Sequence, residues 1–370
     1  MAKKLERCIG DRGIVARLGG DEFAILFPML SEPEDAHAAA IELINAFVAP
    51  LEIRNYEILA GISAGVSFSI NSVEASTLLM NADLALHKAK SEGRGTCRIY
   101  EPQMSLQLIT RREMEQDLRQ ALAKNQLELH YQSLLDLGDN SEIGFEALLR
   151  WNHPEKGVIS PASFIPIAES SGIILSMGQW VLGQACLMAT TWPDDLSVAV
   201  NISPIQFKSG TLVSDVASVL RKSRLEPHRL ELEITESILI EKSSEMLDIL
   251  MNLKSLGVSI VLDDFGTGYS GLGYLNNFPI DKIKIDRSFV NNLGTTPKSG
   301  ELIRAAINIG QSLGITTLAE GIETKEQLEI LRALGCQQGQ GFLFSPAIPA
   351  SEIPCALKLN GNLHSKRLTA

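Results

Sequence analysis

The sequence is poor in the side chains that build disulfide frameworks and soft-metal sites. Its five cysteines are scattered along 370 residues without a Cys-x-x-Cys pair, and its six histidines are equally dispersed. Unpaired, scattered cysteines exclude a zinc or disulfide framework and are typical of a reduced, cytoplasmic protein. We therefore expect any metal site to use oxygen ligands.

Long apolar runs and excess positive charge are also missing. No stretch reaches the roughly 18 apolar residues of a membrane-spanning helix, and the N-terminus lacks a signal-peptide pattern. We expect no membrane segment in this chain. With 33 basic against 44 acidic residues, the formal charge is −11. This balance argues against duplex nucleic acid as a partner, and an anionic substrate would need metal ions or single basic residues to compensate its charge.

The composition is that of a globular protein with a full core. Hydrophobic residues make up 45% and charged residues 21% of the chain, which is ordinary for folded domains. A length of 370 residues suits two domains, or one barrel with an appendage.

The first hundred residues alternate between strand-like and helix-like segments. Residues 14–28, IVARLGGDEFAILFP, predict two short strands around a Gly-Gly-Asp turn. Residues 32–48 and 72–93 have helical patterns, and residues 56–69 are strand-like. A connecting helix is predicted within residues 103–125.

After the connecting helix, short apolar strands alternate with helices. The predicted strands are 127–137, 143–151, 196–203, 229–236, 258–265, 281–286, 314–321 and 335–344, and the helices include 211–223, 243–256, 299–312 and 324–333. Such alternation favours a parallel sheet, and eight strands suit a (β/α)8 barrel. The first two strands are joined by only a short polar turn, GDNS, so we expect them to pair antiparallel.

Polar residues stand at the ends of these predicted strands. They are Glu146, Asn201, Glu233, Asp263, Asp264, Lys284, Glu320 and Gln340. Strand ends of a barrel meet at one rim, where the chemistry of such folds gathers. Carboxylate and amide oxygens there indicate a hard cation. Two adjacent carboxylates repel each other, which a cation would offset.

Several of these residues also have an alternative, purely structural interpretation, although Asp263 and Asp264 together are harder to explain in that way. Asn201 could cap the helix that begins after Ser203, Lys284 could face outward between two isoleucines, and Glu320 could simply begin a loop. A strand-end acid is commonly a helix cap or a surface charge. The coincidence of all of them on one rim favours a site.

The motifs in these strands resemble those of the EAL phosphodiesterases, which hydrolyse the bacterial second messenger cyclic di-GMP. The matching segments are EALLRW (146–151), NIS (201–203), ELEITES (231–237), DDFGTGYS (263–270), DKIKID (281–286), AEGIE (319–323) and QGFLFSP (340–346). The resemblance covers about residues 113–350, with every motif in order. It implies a modified TIM-type barrel with an antiparallel first strand pair.

The segment before the barrel resembles the C-terminal half of a GGDEF, or diguanylate cyclase, domain. RLGGDEF (17–23) matches its signature turn, and residues 81–95 match its closing helix. The family's opening strand, with its first metal-binding aspartate, has no counterpart in these residues, so we expect an inherited scaffold and no cyclase activity. The Arg-x-x-Asp of the inhibitory site is replaced by Gly10 and Gly13, so that site is missing as well. Whether this half binds GTP stays open. The implied domains are 1–100 (partial GGDEF), 101–112 (linker helix), 113–355 (EAL barrel) and 356–370 (tail).

The resemblance implies a reaction that uses two Mg²⁺ or Mn²⁺ ions and yields linear pGpG. It assigns one ion to Glu146, Asn201, Glu233 and Asp263, and a second ion to Asp263 and Asp264. Two cations would neutralise a phosphodiester and generate hydroxide at neutral pH.

The remaining site residues also receive roles from the resemblance. Lys284 would orient the attacking water or stabilise charge on the phosphate, and the metal ions would lower its pKa. Glu320 would act as general base or hold the water, and Gln340 would join the same water network. Gln132 and Arg150 would contact the substrate, and Glu236 would anchor the loop 266–273. That loop and the following helix would form a homodimer contact.

Two residues depart from the family pattern. Ser133 stands where the family usually has proline, and Gly271 replaces the second serine of the usual YSSL. Neither is an implied metal ligand, so we expect at most a slower or differently regulated enzyme. The alternative function is a non-catalytic cyclic di-GMP receptor, although such receptors typically lack part of the acidic set.

Overall fold

The computed structural model describes residues 1–30, 32–53, 56–58, 60–69, 73–240, 244–266, 277–293 and 297–353. Contacts divide the chain into two compact units, Met1–Glu113 and Met114–Ala370. Each unit has apolar clusters of its own. The predicted tail, residues 356–370, lies outside the described residues.

The first unit consists of short strands and helices. In chain order they are α1 (Ala2–Ile9), β1 (Ile14–Gly19), β2 (Glu22–Leu26), α2 (Pro33–Ala46), β3 (Leu51–Ile53), β4 (Tyr56–Ile58), β5 (Ala64–Val66), α3 (Ala75–Ser91) and β6 (Cys97–Ile99). Helix α4 (Pro102–Ala121) follows and passes the boundary between the units.

The predicted hairpin around the Gly-Gly-Asp turn is present. Strands β1 and β2 pair antiparallel, and Gly20 in the turn has a φ of +50°, which glycine adopts without a steric penalty. The single strand predicted for residues 56–69 is wrong. The segment forms the end of one antiparallel pair (β3–β4) and the start of a parallel pair (β5–β6), with Gly61 between them.

The second unit contains the barrel strands and the helices between them. Its elements are β7 (Leu127–Asp136), β8 (Glu142–His153), β9 (Gly157–Ile159), α5 (Pro161–Ser170), α6 (Ile173–Ala189), β10 (Ser197–Ile202), α7 (Pro204–Lys208), α8 (Leu212–Ser223), β11 (Leu230–Thr235), α9 (Glu236–Ile240), α10 (Ser244–Ser255), β12 (Ser259–Phe265), β13 (Lys282–Ile285), α11 (Arg287–Asn291), α12 (Pro297–Leu313), β14 (Thr316–Ala319), α13 (Lys325–Leu334), β15 (Gln338–Gly339) and β16 (Ile348–Pro349).

Eight of these strands close into a barrel. Strand β7 pairs antiparallel with β8; then β8, β10, β11, β12, β13, β14 and β15 follow in parallel, and β15 closes the barrel on β7. The predicted barrel with an antiparallel first pair is therefore confirmed. Closure removes the open sheet edges, and it brings the strand ends to a common rim.

The strand predicted for residues 335–344 is wrong over most of its length, because β15 covers only two residues. Gly341 packs directly on the backbone of Ile322, where a Cβ atom would lie 2.1 Å from the Ile322 carbonyl oxygen. From Gln340 onward the backbone bonds to the loop after β14, through Ile322 N to Gln340 O at 3.0 Å. The chain therefore leaves the sheet at the rim.

Apolar side chains separate the barrel from its outer helices. The main core includes Val198 and Val200 of β10 with Leu232 of β11. A smaller cluster joins Trp151 of β8 to Phe164 of α5 and to the end of α4. Burial of these surfaces supplies most of the driving force for folding.

Alternating side chains of the strands fill the barrel interior in layers. Leu134, Ala199 and Leu318 form a small apolar cluster from three different strands. Since side chains two apart on a strand share a face, residues two positions further on, such as Asn201 and Glu320, face the same interior at the rim. Beneath the rim, the interior holds this apolar cluster and a buried ion pair between Lys282 and Glu231, two positions before Lys284 and Glu233.

Candidate functional site

The polar rim gathers side chains from all parts of the barrel sequence. Glu146 comes from β8, Asn201 from β10, Glu233 from β11 and Asp263 from β12. Lys284 lies on β13, while Glu320 and Gln340 directly follow β14 and β15. Seven strands therefore contribute to one cluster.

Lys284 lies at the centre of this cluster. Its Nζ atom is 2.5 Å from Glu320 Oε1, 3.0 Å from Glu233 Oε1, 3.5 Å from Asp263 Oδ1 and 3.7 Å from Glu146 Oε2. The lysine side chain is 1% exposed. A single buried ammonium thus lies close to four carboxyl groups and offsets part of their mutual repulsion.

This crowding shifts the ionisation of the lysine and of the two most central acids. Burial by itself would lower the pKa of Lys284, but the surrounding carboxylates raise that pKa well above its ordinary value. Burial raises the pKa of Glu233 well above its ordinary value, and the Glu146 charge adds to the effect. The lowered lysine pKa expected beside metal ions is thus not a property of the metal-free site.

The pKa values of Glu146 and Glu320 shift in opposite directions. Burial opposes ionisation of Glu146, but the Lys284 charge and hydrogen bonds from Gln340 and Asn201 lower its pKa. Burial raises the pKa of Glu320 to about 7, although the Lys284 charge acts against this shift. Glu320 is therefore the rim carboxyl poised to exchange a proton near neutral pH.

Glu146 is held by two amide side chains. Asn201 Nδ2 donates to Glu146 Oε1 at 2.7 Å, and Gln340 Nε2 donates to Glu146 Oε2 at 2.7 Å. Gln340 Nε2 also donates to Gln132 Oε1 at 3.0 Å. Gln132 stands opposite Glu146 in the β7–β8 ladder, so the predicted substrate-contacting glutamine adjoins the acidic cluster.

Asp263 and Asp264 lie at an irregularity in β12. The register between β12 and β13 shifts between Leu262 and Phe265, and Asp264 has a φ of +56°. Its backbone N–H donates to Asp263 Oδ1 at 2.9 Å. Neighbours on a regular strand point to opposite faces; a bulge with a left-handed residue relaxes that constraint, and aspartate tolerates this conformation better than most residues.

The pKa of Asp264 is raised from its ordinary value. Burial is the main cause, and the charges of Asp263 and Asp286 raise the pKa further, whereas the charges of Lys284 and Arg287 lower it. Asp264 therefore lies in a region of excess negative charge. A bound cation would relieve this repulsion.

Glu236 and Arg150 lie next to the cluster. Glu236 is buried, and its Oε2 atom accepts a hydrogen bond of 3.2 Å from the Gly266 backbone N–H. The rest of the predicted loop, residues 267–273, lies outside the described residues. Arg150 is half-buried on β8, four residues beyond Glu146, and its Nη1 atom donates to the Leu149 carbonyl oxygen. Burial lowers the pKa of Arg150, and the charge of Glu146 acts against this shift.

The donor set fits a hard divalent cation, but the metal-free side chains are not yet arranged around one. Glu233 Oε2 is buried and makes no hydrogen bond, which leaves a carboxylate oxygen for a ligand. Within the described parts of the chain, no three acidic, histidine or cysteine side chains already surround a common point. Lys284 Nζ lies among these carboxyl groups.

Comparison with known proteins decides the family. The family model of the EAL domain matches residues 115–347. The chain belongs to the EAL domain family. A second model, described as diguanylate cyclase, GGDEF domain, matches residues 1–96.

Curated relatives match nearly the whole length of this chain. The chain is 39% identical over 360 residues to the bifunctional diguanylate cyclase/cyclic di-GMP phosphodiesterase MucR of Pseudomonas aeruginosa, covering 95% of this chain and 52% of MucR. It is 37% identical over 358 residues to the cyclic di-GMP phosphodiesterase NbdA of the same organism, covering 95% of this chain and 46% of NbdA. The chain thus spans about half the length of these relatives.

A solved structure supports the barrel assignment. The PaMucR phosphodiesterase in complex with c-di-GMP aligns with a TM-score of 0.63 and 43% identity, over 65% of this chain and 99% of that chain.

In the described residues, no helix is both long and apolar enough to cross a bilayer.

Two features of this EAL domain were not predicted as part of the site. Asp286, directly after β13, caps α11 by accepting from Ser288 N at 2.9 Å and acts electrostatically on Asp264. The sequence could have indicated Asp286, because it stands two residues after Lys284 in the same DKIKID segment. The second feature is a buried ion pair of 2.6 Å between Lys282 Nζ and Glu231 Oε2, two residues before Lys284 and Glu233.

Proposed function

We propose that this chain hydrolyses cyclic di-GMP to linear pGpG. The observation that carries the proposal is the convergence of Glu146, Asn201, Glu233 and Asp263 around Lys284 at one rim of an EAL barrel. The relatives named for cyclic di-GMP hydrolysis support the choice of substrate.

The carboxylate and amide oxygens of this rim would hold two Mg²⁺ or Mn²⁺ ions. Glu146, Asn201, Glu233 and Asp263 would hold one ion, and Asp263 and Asp264 the other. Bound ions would neutralise the non-bridging phosphate oxygens and lower the pKa of a bound water. The raised pKa of Asp264, caused by burial and further by the charges of Asp263 and Asp286, supports the second ion.

The protein's own side chains supply the remaining steps. Glu320, whose pKa is raised to about 7, would accept a proton from the attacking water. The new bond forms between the water oxygen and phosphorus, and the bond from phosphorus to the 3′ oxygen breaks. The 3′ oxygen takes up a proton from solvent to become a hydroxyl group, and a 5′-phosphate remains. Lys284 would stabilise the negative charge that develops on the phosphate. Lys284→Ala should therefore abolish turnover largely without loss of binding.

Substrate contacts are proposed for the face of the β7–β8 hairpin beyond the metal ligands. Arg150 carries a positive charge there and would bind a phosphate oxygen. Gln132 stands closer to the cluster, opposite Glu146, and bonds to Gln340, so it would lie behind the metal ligands. Arg150 would orient the ring for opening at one phosphodiester.

The deciding experiment is turnover of cyclic di-GMP with Mn²⁺ and with EDTA. We expect linear pGpG with Mn²⁺ and no product with EDTA. Binding of intact cyclic di-GMP without hydrolysis would contradict the proposal and establish a receptor function instead.

The GGDEF unit and the oligomeric state are separate proposals. GTP is the ligand that a GGDEF unit would take, and incubation with GTP should yield no cyclic di-GMP. A homodimer through the barrel is expected from the family resemblance, but most of the segment it concerns, residues 267–276, lies outside the described residues. Sedimentation of the full chain would test the dimer.

A further inference from the structure

The amide group of Gln340 has a defined orientation. Its Nε2 atom donates to Glu146 Oε2 at 2.7 Å and to Gln132 Oε1 at 3.0 Å, so both of its hydrogens are used. Exchanging the amide nitrogen and oxygen would set an oxygen against these two acceptors. Gln340 Oε1 is left buried and without a hydrogen bond, so Gln340 offers the site an acceptor only.

Gln132 is engaged at both ends of its own amide. Its Oε1 atom accepts from Gln340, and its Nε2 atom donates to the Ser345 carbonyl oxygen at 3.1 Å. The Ser345 carbonyl therefore sets which end of Gln132 points to Gln340. Because the carbonyl can only accept, Gln132 must present its oxygen to Gln340.

Ser345 is in turn fixed by the hydroxyl group next to Gln132 in the sequence. Ser345 Oγ donates to Ser133 Oγ at 3.3 Å, and Ser133 Oγ donates to Glu142 Oε1 at 2.9 Å. Ser133 is buried, at 6% exposure. The departure from the family pattern at this position thus creates a hydroxyl link between β7 and the segment after Gln340, which a proline could not make.

We propose that Ser133, Ser345 and Gln132 form a hydrogen-bonded positioning chain that fixes the amide of Gln340, and through it the carboxylate of Glu146, for divalent-metal binding. The proposal deepens the proposed function and rests on it only for the catalytic consequence. Gln132 then acts mainly by positioning, since its oxygen accepts from Gln340 and its amino group donates to the Ser345 carbonyl. Residues that orient metal ligands in this way commonly change metal affinity about 10–100-fold when they are substituted.

The test is Mn²⁺ binding to the full chain, measured by isothermal titration calorimetry without substrate, beside KM and kcat at saturating Mn²⁺. Gln132→Met keeps the length of the side chain and removes both hydrogen bonds. We expect Mn²⁺ affinity to fall about tenfold, with KM for cyclic di-GMP unchanged. Ser133→Ala and Ser345→Ala should weaken Mn²⁺ binding in the same direction, and their effects should not add to that of Gln132→Met.

Two further variants separate positioning from a general loss of structure. Ser133→Thr retains the hydroxyl and should keep wild-type Mn²⁺ affinity. Ser197→Ala is the matched control, because Ser197 Oγ also donates to a glutamate, Glu231 Oε1 at 3.0 Å, at the start of β10. Its Mn²⁺ affinity should be unchanged.

Other outcomes would overturn the positioning chain. If Gln132→Met keeps the Mn²⁺ affinity of the wild type but raises KM, Gln132 is a direct substrate contact. If neither value changes, Gln132 has no role in metal or substrate binding. If the wild-type chain binds Mn²⁺ but hydrolyses no cyclic di-GMP, only the proposed function fails, and the affinities of the variants still decide the positioning chain. A wild-type chain that binds no Mn²⁺ would overturn both.

Discussion

Lys284 Nζ lies 3.0 Å from Glu233 Oε1, and each of these side chains is only 1% exposed. Such a pair is costly to break, because removal of one partner leaves a buried charge uncompensated. In this barrel the same ammonium also faces Glu146, Asp263 and Glu320. The metal-free site therefore depends on one lysine for its charge balance.

Lys284→Met should destabilise the metal-free protein. We expect the free energy of unfolding at pH 8, in EDTA, to fall by about 3 kcal/mol. The loss should be smaller at pH 5.5, because Glu320, whose pKa is raised to about 7, becomes protonated there and no longer repels the other carboxylates. Urea denaturation at both pH values measures the difference. Equal losses at the two pH values would contradict this account of the cluster.

Glu320 should make the metal-free protein less stable as the pH rises. Its folded pKa of about 7 exceeds that of an exposed glutamate, about 4.3. The folded state therefore binds the proton more tightly, and the free energy of unfolding falls between about pH 4.3 and pH 7. Glu320→Gln should flatten this part of the stability profile.

The matched control for that profile is Glu323→Gln, three residues further along the same loop. Glu323 is exposed, so its substitution should leave the profile of the wild-type protein in place. A profile that is equally steep in Glu320→Gln and in the wild type would refute the assignment of this titration to Glu320.

Glu146→Ala and Asp263→Ala should abolish turnover, because both remove a proposed ligand of the first ion. Mn²⁺ raises the melting temperature of a protein that binds it in the folded state. We expect this rise in the wild type and its loss in both variants, by differential scanning fluorimetry. Glu155→Gln, at an exposed turn position, should behave as the wild type. Full activity in either ligand variant would exclude the proposed site.

Asp264→Gly should separate stability from activity. The left-handed conformation of Asp264 costs a non-glycine residue roughly 1–2 kcal/mol, and its charge repels that of Asp263. We expect the metal-free protein to gain about 1 kcal/mol in stability while turnover falls sharply through loss of a carboxylate. Asp264→Asn, which keeps the left-handed preference without the charge, should lose turnover with a smaller gain. A fall in stability for both variants would argue against strain at this position.

Much of the barrel could be predicted because its strands are short, apolar and separated by helices. The predicted strand 258–265 and the observed β12, Ser259–Phe265, agree closely, and the short GDNS turn was sufficient to predict the antiparallel first pair. The predictions were wrong at 335–344 and 56–69. In both segments glycines allow turns or close backbone contacts that an apolar pattern does not reveal.

The sequence by itself determined which polar residues stand at strand ends and, through the period of two along each strand, that they share a face. Only the tertiary structure decided how they interact: that Lys284 lies within 3.7 Å of four carboxyl groups, that β12 bulges at Asp264, and that Gln340 presents an oxygen to the site. The reason is physical. Charge compensation, burial and the direction of a hydrogen bond depend on distances between atoms such as Gln132 Nε2 and the Ser345 carbonyl oxygen, 213 positions apart in the chain and 3.1 Å apart in the fold.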